Sequence, residues 1–193
     1  MPRLNHFRRV VLAVSLLLPS IATCAPVQYI ISGTISGDVD GTIFTDALLT
    51  FNGFGDTATI ASCGVGCLTN GLASGTITLA GIGTGDMLFA PYAFVNVDVG
   101  GFGDSDIFDF LYVSAAALTG HDLATNLGPI AAGTGFPGQG PLQTTFGDIT
   151  ISSVQSAGGS FQTIVGTAVV PEPGTMALAF VGIAALAVRR RMR

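Results

Sequence analysis

The stretch Val27-Gln28-Tyr29-Ile30-Ile31-Ser32-Gly33-Thr34-Ile35 decides the fold class of this chain. It is rich in β-branched and aromatic residues and alternates along its length, which is typical of a β-strand with one buried face. Similar runs follow at Thr42–Phe51, Thr57–Ala61, Gly75–Ile82, Met87–Val97, Ile107–Val113, Gln143–Ser152 and Ser160–Val170. Turn-forming clusters separate them at Ser36-Gly37-Asp38, Asn52-Gly53, Asn70-Gly71 and Gly103-Asp104-Ser105. Short strands with such turns predict an all-β domain built as an antiparallel β-sandwich.

Two stretches of the body depart from the strand pattern. Residues Ser114 to Leu127 are rich in Ala and Leu, and we expect a short helix there. The segment from Leu127 to Pro141 contains three Gly-Pro or Phe-Pro pairs, which predict a long irregular loop.

The charges are unevenly distributed. All seven basic residues are Arg, and they lie near the two ends of the chain, at positions 3, 8, 9, 189, 190, 191 and 193. Of the twelve acidic residues one is Glu172, so the body from Pro26 to Val170 holds eleven Asp and carries a charge near −11, against −5 for the whole chain. Such a body repels phosphates, which excludes nucleic acid as a partner.

The C-terminal segment has three parts in a fixed order. Pro171-Glu172-Pro173 should be extended and exposed, because each Pro fixes φ and biases the preceding residue away from helix. Residues 175–188 carry no charge and no Pro, and as a helix they would cover roughly 20 Å of a hydrocarbon core about 30 Å thick. Arg189, Arg190, Arg191 and Arg193 would then hold the C-terminus on the cytoplasmic side. This order predicts a short transmembrane anchor. The alternative, a core helix with a basic cap, would need a much larger domain around it.

The stretch from Val170 to Arg193 resembles the PEP-CTERM sorting signal of exopolysaccharide-producing Gram-negative bacteria. The resemblance implies recognition by exosortase, a transpeptidase of the inner membrane, followed by cleavage near Pro171-Glu172-Pro173. It also implies that the product is released or attached at the cell surface.

The N-terminus predicts export through the Sec translocon. Arg3, Arg8 and Arg9 precede the apolar run Val10–Leu18, and Ser20-Ile21-Ala22 fits a small-x-small cleavage site. Thr23-Cys24-Ala25 fits less well because Pro26 follows it, and the residues before Cys24 match a lipoprotein signal poorly. The expected organisation is a signal peptide over 1–25, an exported β domain over 26–168 and a sorting segment over 169–193.

The body has two cysteines, in Ser62-Cys63-Gly64-Val65-Gly66-Cys67. Export places them in an oxidising compartment, so we expect a disulfide between Cys63 and Cys67. A zinc site would need further ligands, and the body offers only His121 as an imidazole.

Two Asp clusters are candidate cation ligands. Asp38 and Asp40 form one, and Asp104, Asp106 and Asp109 form the other. An i, i+2 spacing points two carboxylates the same way from an extended segment, and Ca²⁺ prefers such oxygen ligands. The alternative is that these Asp residues cap backbone amides in turns, since neither cluster has the Glu of a calcium-binding loop.

Catalysis has little support in the sequence. A Ser-His-Asp site would have to use His121, and the Gly-x-Ser-x-Gly motif is absent. We therefore expect a non-catalytic surface or matrix protein without a required cofactor, associated with exopolysaccharide or biofilm. Two alternatives are kept: a Ca²⁺-dependent glycan-binding module or adhesin that uses Tyr29, Tyr92, Tyr112 or exposed Phe residues, and a secreted hydrolase.

The body also loosely resembles a recurring ectodomain without assigned activity that precedes such tails. The resemblance is carried by Ser32-Gly33-Thr34, Phe44-Thr45-Asp46, residues 80–84 and residues 121–130.

Overall fold

The computed structural model describes residues 24–104, 109–135 and 140–166, and nearly all of them lie in antiparallel strands. The eleven strands are β1 Pro26–Val39, β2 Thr42–Gly64, β3 Cys67–Leu79, β4 Gly83–Asp86, β5 Pro91–Asn96, β6 Val99–Asp104, β7 Asp109–Ser114, β8 Leu127–Gly135, β9 Leu142–Thr144, β10 Gly147–Val154 and β11 Gly159–Val165. In the described ranges the only helical element is a 3-10 turn at Ala116–Leu118. The predicted all-β antiparallel class is confirmed.

Strand β1 organises the sheet because it is paired along its whole length. Its residues alternate between buried and half-buried, with Val27, Tyr29 and Ile31 facing inward. One side pairs with β2. The other side pairs first with β11, from Val27 to Ser32, and then with β10, from Ile35 to Val39. The alternation in the sequence therefore corresponds to one face covered by the core.

The pairing between β1 and β11 closes the sheet into a ring. The hydrogen-bonded order β11-β8-β7-β6-β5-β3-β2-β1 returns to β11, so none of these eight strands is left as an open edge at the closure. The two walls of this ring cover one core, as the layers of a sandwich do, but the ladder between them is continuous. Closure of this kind removes the edge that would otherwise pair with another chain.

The C-terminal part of β1, from Ile35 to Val39, belongs to a second, smaller group of paired strands. Strand β10 pairs with β1 and with β9, while β4 pairs with β3. Met87 bridges to Thr144, and the Leu88 amide donates to the Gln143 carbonyl at 3.0 Å. These contacts join β9 to the chain that follows β4.

The core is apolar and continuous across the ring. The rings of Phe51 on β2 and Phe102 on β6 stack with centroids 4.2 Å apart and planes 10° apart. Tyr29, Ile31, Leu111 and Phe161 are fully buried around them. Burial of large side chains such as these contributes on the order of 2 kcal/mol each to folding.

Several local expectations were wrong. Asn52-Gly53 and Asn70-Gly71 lie inside β2 and β3 instead of in turns, and β2 runs through both predicted strands as one element. Ser36-Gly37-Asp38 lies within β1 at a register shift, and the turn comes later, at Asp40-Gly41. The predicted loop after Leu127 is strand β8 up to Gly135. The expected helix after Ser114 is reduced to the 3-10 turn.

Both ends of the described domain emerge together. The Gly166 amide donates to the Pro26 carbonyl at 2.8 Å, and Ala25 exchanges hydrogen bonds of 3.0 and 2.9 Å with Thr57. Residues 1–23 of the predicted signal peptide and the whole predicted sorting segment lie outside the described residues. In the ranges that the structure describes, no helix is long and apolar enough to span a bilayer.

Candidate functional site

The chemically distinctive side chains of the body meet at one end of the ring, which we call the terminal end. It comprises the start of β1 at Pro26, the last described residue, Gly166, the turns at 64–67 and 96–99, and the loop 115–126 between β7 and β8. Leu118 and Leu123 of that loop are fully buried. The loop therefore closes the ring at this end.

A buried hydrogen-bond network fixes the loop to the strands. The Tyr29 hydroxyl donates to the Leu123 carbonyl at 2.9 Å and accepts from the Asn70 side-chain amide at 2.8 Å. The Asn70 oxygen in turn accepts from the Thr59 hydroxyl. Burial raises the pKa of Tyr29 to about 12, partly offset by the Asn70 hydrogen bond and reinforced by the charge of Asp122. The Tyr29 hydroxyl therefore stays protonated at neutral pH and can donate its hydrogen bond to the Leu123 carbonyl.

His121 is the one His between Pro26 and Val170, and it is held on three sides. Its Nε2 lies 3.0 Å from the Thr163 hydroxyl on β11, and its ring meets Phe161 edge-on at 6.2 Å. Its backbone amide donates to the Leu118 carbonyl at 2.9 Å. Burial lowers the pKa of His121, against an opposing effect of Asp122, so the neutral imidazole is favoured.

Asp122 is turned toward its own loop. Its carboxylate accepts from the Ala124 amide at 2.9 Å and from the Thr125 hydroxyl at 2.8 Å. Burial raises the pKa of Asp122, but these hydrogen bonds and the neighbouring His121 lower it by more, and the net shift is downward. The carboxylate thus acts as a cap of the loop.

A cleft of about 450 Å³ opens beside His121 at this end. One wall is the loop from Thr119 to Asp122. The other wall is formed by the hairpin of β2 and β3 and by the end of β5, and it consists of Ser62, Gly64, Gly66, Cys67, Leu68, Val95 and Val97. Most of this lining is apolar, so the cleft suits an apolar group with one polar edge.

The hairpin tip beside the cleft is cross-linked. Cys63 and Cys67 are joined by a disulfide with their Cα atoms 5.1 Å apart. The Val97 amide donates to the Gly66 carbonyl at 2.9 Å, which fastens the turn between β5 and β6 to the tip. Two exposed valines, Val65 and Val97, cap these adjoining turns.

The arrangement around His121 is better suited to packing than to hydrolysis. The hydroxyl nearest to the imidazole belongs to Thr163, which is only 1% exposed and out of reach of a substrate. The Asp122 carboxylate is engaged by its own loop instead of orienting the imidazole. A nucleophile-base-acid constellation needs all three groups in reach of one another and of substrate.

The structure distributes the predicted cation ligands among separate roles. Asp38 accepts from the Gly41 amide at 2.9 Å, and Asp40 accepts from the Asp148 amide at 3.0 Å, so both carboxylates serve the turn between β1 and β2. Asp104 is buried at the end of β6, Asp109 begins β7, and Asp106 lies outside the described residues. Within the described ranges no group of three or more His, Cys, Asp or Glu side chains is placed to hold a metal ion.

The three tyrosines are not equivalent. Tyr29 is fully buried, so its predicted contact with a glycan is wrong. Tyr92 and Tyr112 are half-buried and lie on the outer face of the sheet. In the register across that face Phe94 pairs with Gly101, Gly101 pairs with Tyr112, and Tyr112 pairs with Gly135. A Cβ atom on Gly101 would lie 2.9 Å from the Phe94 ring, which shows that this ring covers the glycine.

Sequence reasoning missed Asn70 and Thr163. Asn70 belongs to an Asn-Gly pair that predicts a turn, and Thr163 is one hydroxyl in a strand with no distinguishing neighbour. Polar residues at inward positions of the alternating pattern were the available signal, because a buried amide or hydroxyl requires a partner.

A family model described as the PEP-CTERM protein-sorting motif matches residues 169–191. The recognition of this segment from the sequence is confirmed, and Pro171, Glu172, Pro173, Arg189, Arg190 and Arg191 fall within the match. The motif supports export in a Gram-negative bacterium and implies exosortase as the processing partner. Neither curated proteins nor solved structures gave a match to the chain.

Proposed function

We propose that this chain is an exported, non-catalytic surface or matrix protein, sorted by its C-terminal motif and retained with exopolysaccharide. The observation that carries the proposal is the junction between fold and motif. Strand β11 ends at Val165, and the sorting motif begins at residue 169, so only a few residues separate the domain from its signal. The described domain is thus the cargo of the signal.

The interior of the terminal end supports a non-catalytic role. His121 packs against Phe161 and bonds Thr163, and Asp122 caps its own loop. Each of these groups has a structural partner. An exported enzyme would instead need reactive groups that converge on an accessible point.

The experiment that tests sorting is mass spectrometry of the protein's C-terminus in a host with and without exosortase. We expect loss of Arg193 only where exosortase is present. Replacing Pro171 and Pro173 by Ala should preserve Arg193 in both hosts, and replacing Pro141, an exposed loop proline, should not. An intact Arg193 in both hosts for the unaltered chain would contradict the sorting model.

Glycan binding is a second candidate function, favoured by the row of aromatic rings on the outer face. Tyr92 and Tyr112 are half-buried there, and the Phe94 ring near them is only 6% exposed, so the two tyrosine rings are the ones that a glycan could reach. Calorimetry of the purified protein against exopolysaccharide, with and without Ca²⁺, tests this role. Tyr112→Ala should remove the heat of binding, while Ile43→Ala at a distant exposed site should not. No heat and no thermal shift with the unaltered protein would exclude it.

A further inference from the structure

The tip formed by the turns at 64–67 and 96–99 exposes two valines, and its one charged side chain, Asp98, lies 3.4 Å from the Ser114 hydroxyl on β7. Val65 has 103% of its reference accessible surface and Val97 has 54%. Residues 64–66 carry no charge, and the disulfide together with the hydrogen bond from Val97 to Gly66 holds the two turns side by side. We call residues 64–66 and 97 the valine tip.

The backbone at Val97 is unusual for its residue type. Its φ is 57°, in the left-handed region that a β-branched side chain rarely adopts. Glycine or asparagine would relieve the strain at this turn, and a polar residue would suit its exposure better. Residues in such conformations cluster at functional positions, where the surrounding structure holds them. At Val97 the result is an apolar side chain presented at the surface.

The valine tip lies at the end of the domain that faces the anchor. Val27 pairs with Gly55, Gly55 with Leu72, and β3 then continues five residues further to Cys67 at the tip. At about 3.3 Å per residue the tip projects at most about 16 Å beyond the point where the chain enters and leaves the sheet. Strand β11 runs toward the same end, so the C-terminal tail leaves the domain in the direction of the tip.

The length of the tail brings this end close to the bilayer. From Gly166 the chain needs nine residues to reach Thr175, where the predicted transmembrane helix begins. Fully extended, they span at most about 30 Å. A tip that projects up to about 16 Å covers as much as half of that distance. The two valines are therefore exposed apolar groups at the end of the domain that the tail leaves from.

We propose that the valine tip is a lipid-contacting surface that rests on the interfacial region of the bilayer while the tail is still uncleaved. The inference rests on the proposed sorting and on the short transmembrane anchor that the sequence predicts over residues 175–188. Because the body carries no Lys or Arg, contact comes from burial of Val65 and Val97 and does not need anionic lipid. Tethering makes weak contact sufficient, since the anchor holds the tip at a high effective concentration near the surface.

The chain contains no Trp, so a single introduced Trp reports its own surroundings. The mature chain with an intact tail, purified from a host without exosortase, is incorporated into phosphatidylcholine vesicles. Val65→Trp is compared with Ile43→Trp, which places the reporter at a site 83% exposed on the opposite end of β2. We expect blue-shifted emission for Trp at position 65 and several-fold stronger quenching by brominated lipid than at position 43. Val97→Trp should behave as position 65 does, which guards against a folding defect in either variant.

Equal, water-like emission at positions 65 and 43 in vesicles that float with bound protein would overturn the proposal and leave anchoring intact. Emission at position 65 that shifts only when catalytically inactive exosortase is added would also overturn it, in favour of a protein partner. Protein that fails to float would show that the tail does not anchor, and the proposal for the tip would fall while the sorting proposal would still be decided by the fate of Arg193.

Discussion

The hydroxyl of Tyr29, in the first strand, donates a 2.9 Å hydrogen bond to the backbone carbonyl of Leu123, 94 residues further along the chain. This bond joins the strand that organises the sheet to the loop that closes its terminal end. Leu123 has a left-handed backbone with φ of 60°, so its carbonyl is held in a conformation that needs support. Tyr29 provides it from inside the ring.

Replacing Tyr29 by Phe should lower the free energy of unfolding by about 1–3 kcal/mol, because it leaves the Leu123 carbonyl and the Asn70 amide buried without this partner. Urea denaturation measures the change. Tyr112→Phe is the matched control, since that ring lies half-buried on the outer face, and it should have little effect. Equal stability of the two variants would contradict the network.

The same tyrosine should make stability depend on alkaline pH. Its pKa of about 12 in the folded protein lies above the ordinary value of 10.0, so the folded state holds the proton where the unfolded state has lost it. The stabilisation is complete below pH 10 and is lost as the pH rises toward 12. Ultraviolet titration should show one tyrosine ionising late, and Tyr29→Phe should remove that step.

Lowering the pH should test His121. Its pKa is lower in the folded protein than the ordinary 6.5, so the unfolded state binds the extra proton first. Its contribution to stability is present above 6.5 and is lost as the pH falls through the folded pKa. Thermal unfolding across this range should show a slope that His121→Gln reduces. A slope that the substitution leaves unchanged would assign it to other groups.

Two Asn-Gly pairs offer a matched test of packing. A Cβ on Gly53 would lie 2.5 Å from Leu72 and 2.6 Å from the Phe51 ring, whereas a Cβ on Gly71 would meet no atom within 4 Å. Gly53→Ala should cost about 1–3 kcal/mol through overpacking. Gly71→Ala should be close to neutral. Chemical denaturation of both variants measures the difference, and similar costs would show that the glycines act through backbone freedom alone.

The disulfide should stabilise the tip modestly. It closes a loop with a sequence separation of only 4, for which the chain-entropy model gives about 2 kcal/mol. Replacing both Cys63 and Cys67 by Ser should lower the unfolding free energy by no more than that. Hydrogen exchange should then accelerate mainly at the Val97 amide, which bonds to Gly66, and remain slow at Ile31 in the core.

Comparison of strand β1 with the glycines Gly53, Gly100 and Gly101 shows where the sequence was informative about the fold and where it was not. Strand β1 was predictable because its inward face is continuously apolar, and that pattern is local. Strand β6 was missed because Gly100 and Gly101 replace the expected side chains, and their reason is tertiary: Phe161 and Leu118 lie against the first and Phe94 against the second. Asn52-Gly53 was wrongly predicted to be a turn for the same reason. Gly53 lies in a strand, where the ring of Phe51 and the side chain of Leu72 occupy the space that a Cβ atom would need.

The functional groups divide in the same way. The sorting motif was recognised from its residues, because its parts are contiguous in the chain and need no fold to be seen. The disulfide between Cys63 and Cys67 could be predicted for a similar reason, because the two cysteines are only four positions apart in the sequence. His121 was noticed as the imidazole of the body, but its partner Thr163 lies 42 residues away, and the pairing of β11 with β8 and β1 brings that strand under the loop.

The closure of the ring by its first and last strands sets the order of folding as the chain is synthesised. Val27 is made early, but its partner Val165 follows only when almost the whole domain has been made. Contacts so distant in sequence form late, and until then one side of β1 has an unoccupied ladder that could pair with neighbouring chains. The residues that end this exposure come immediately before the sorting motif. Arrest of the tail in the membrane would thus hold β11 beside β1 at the moment when the domain becomes able to finish folding.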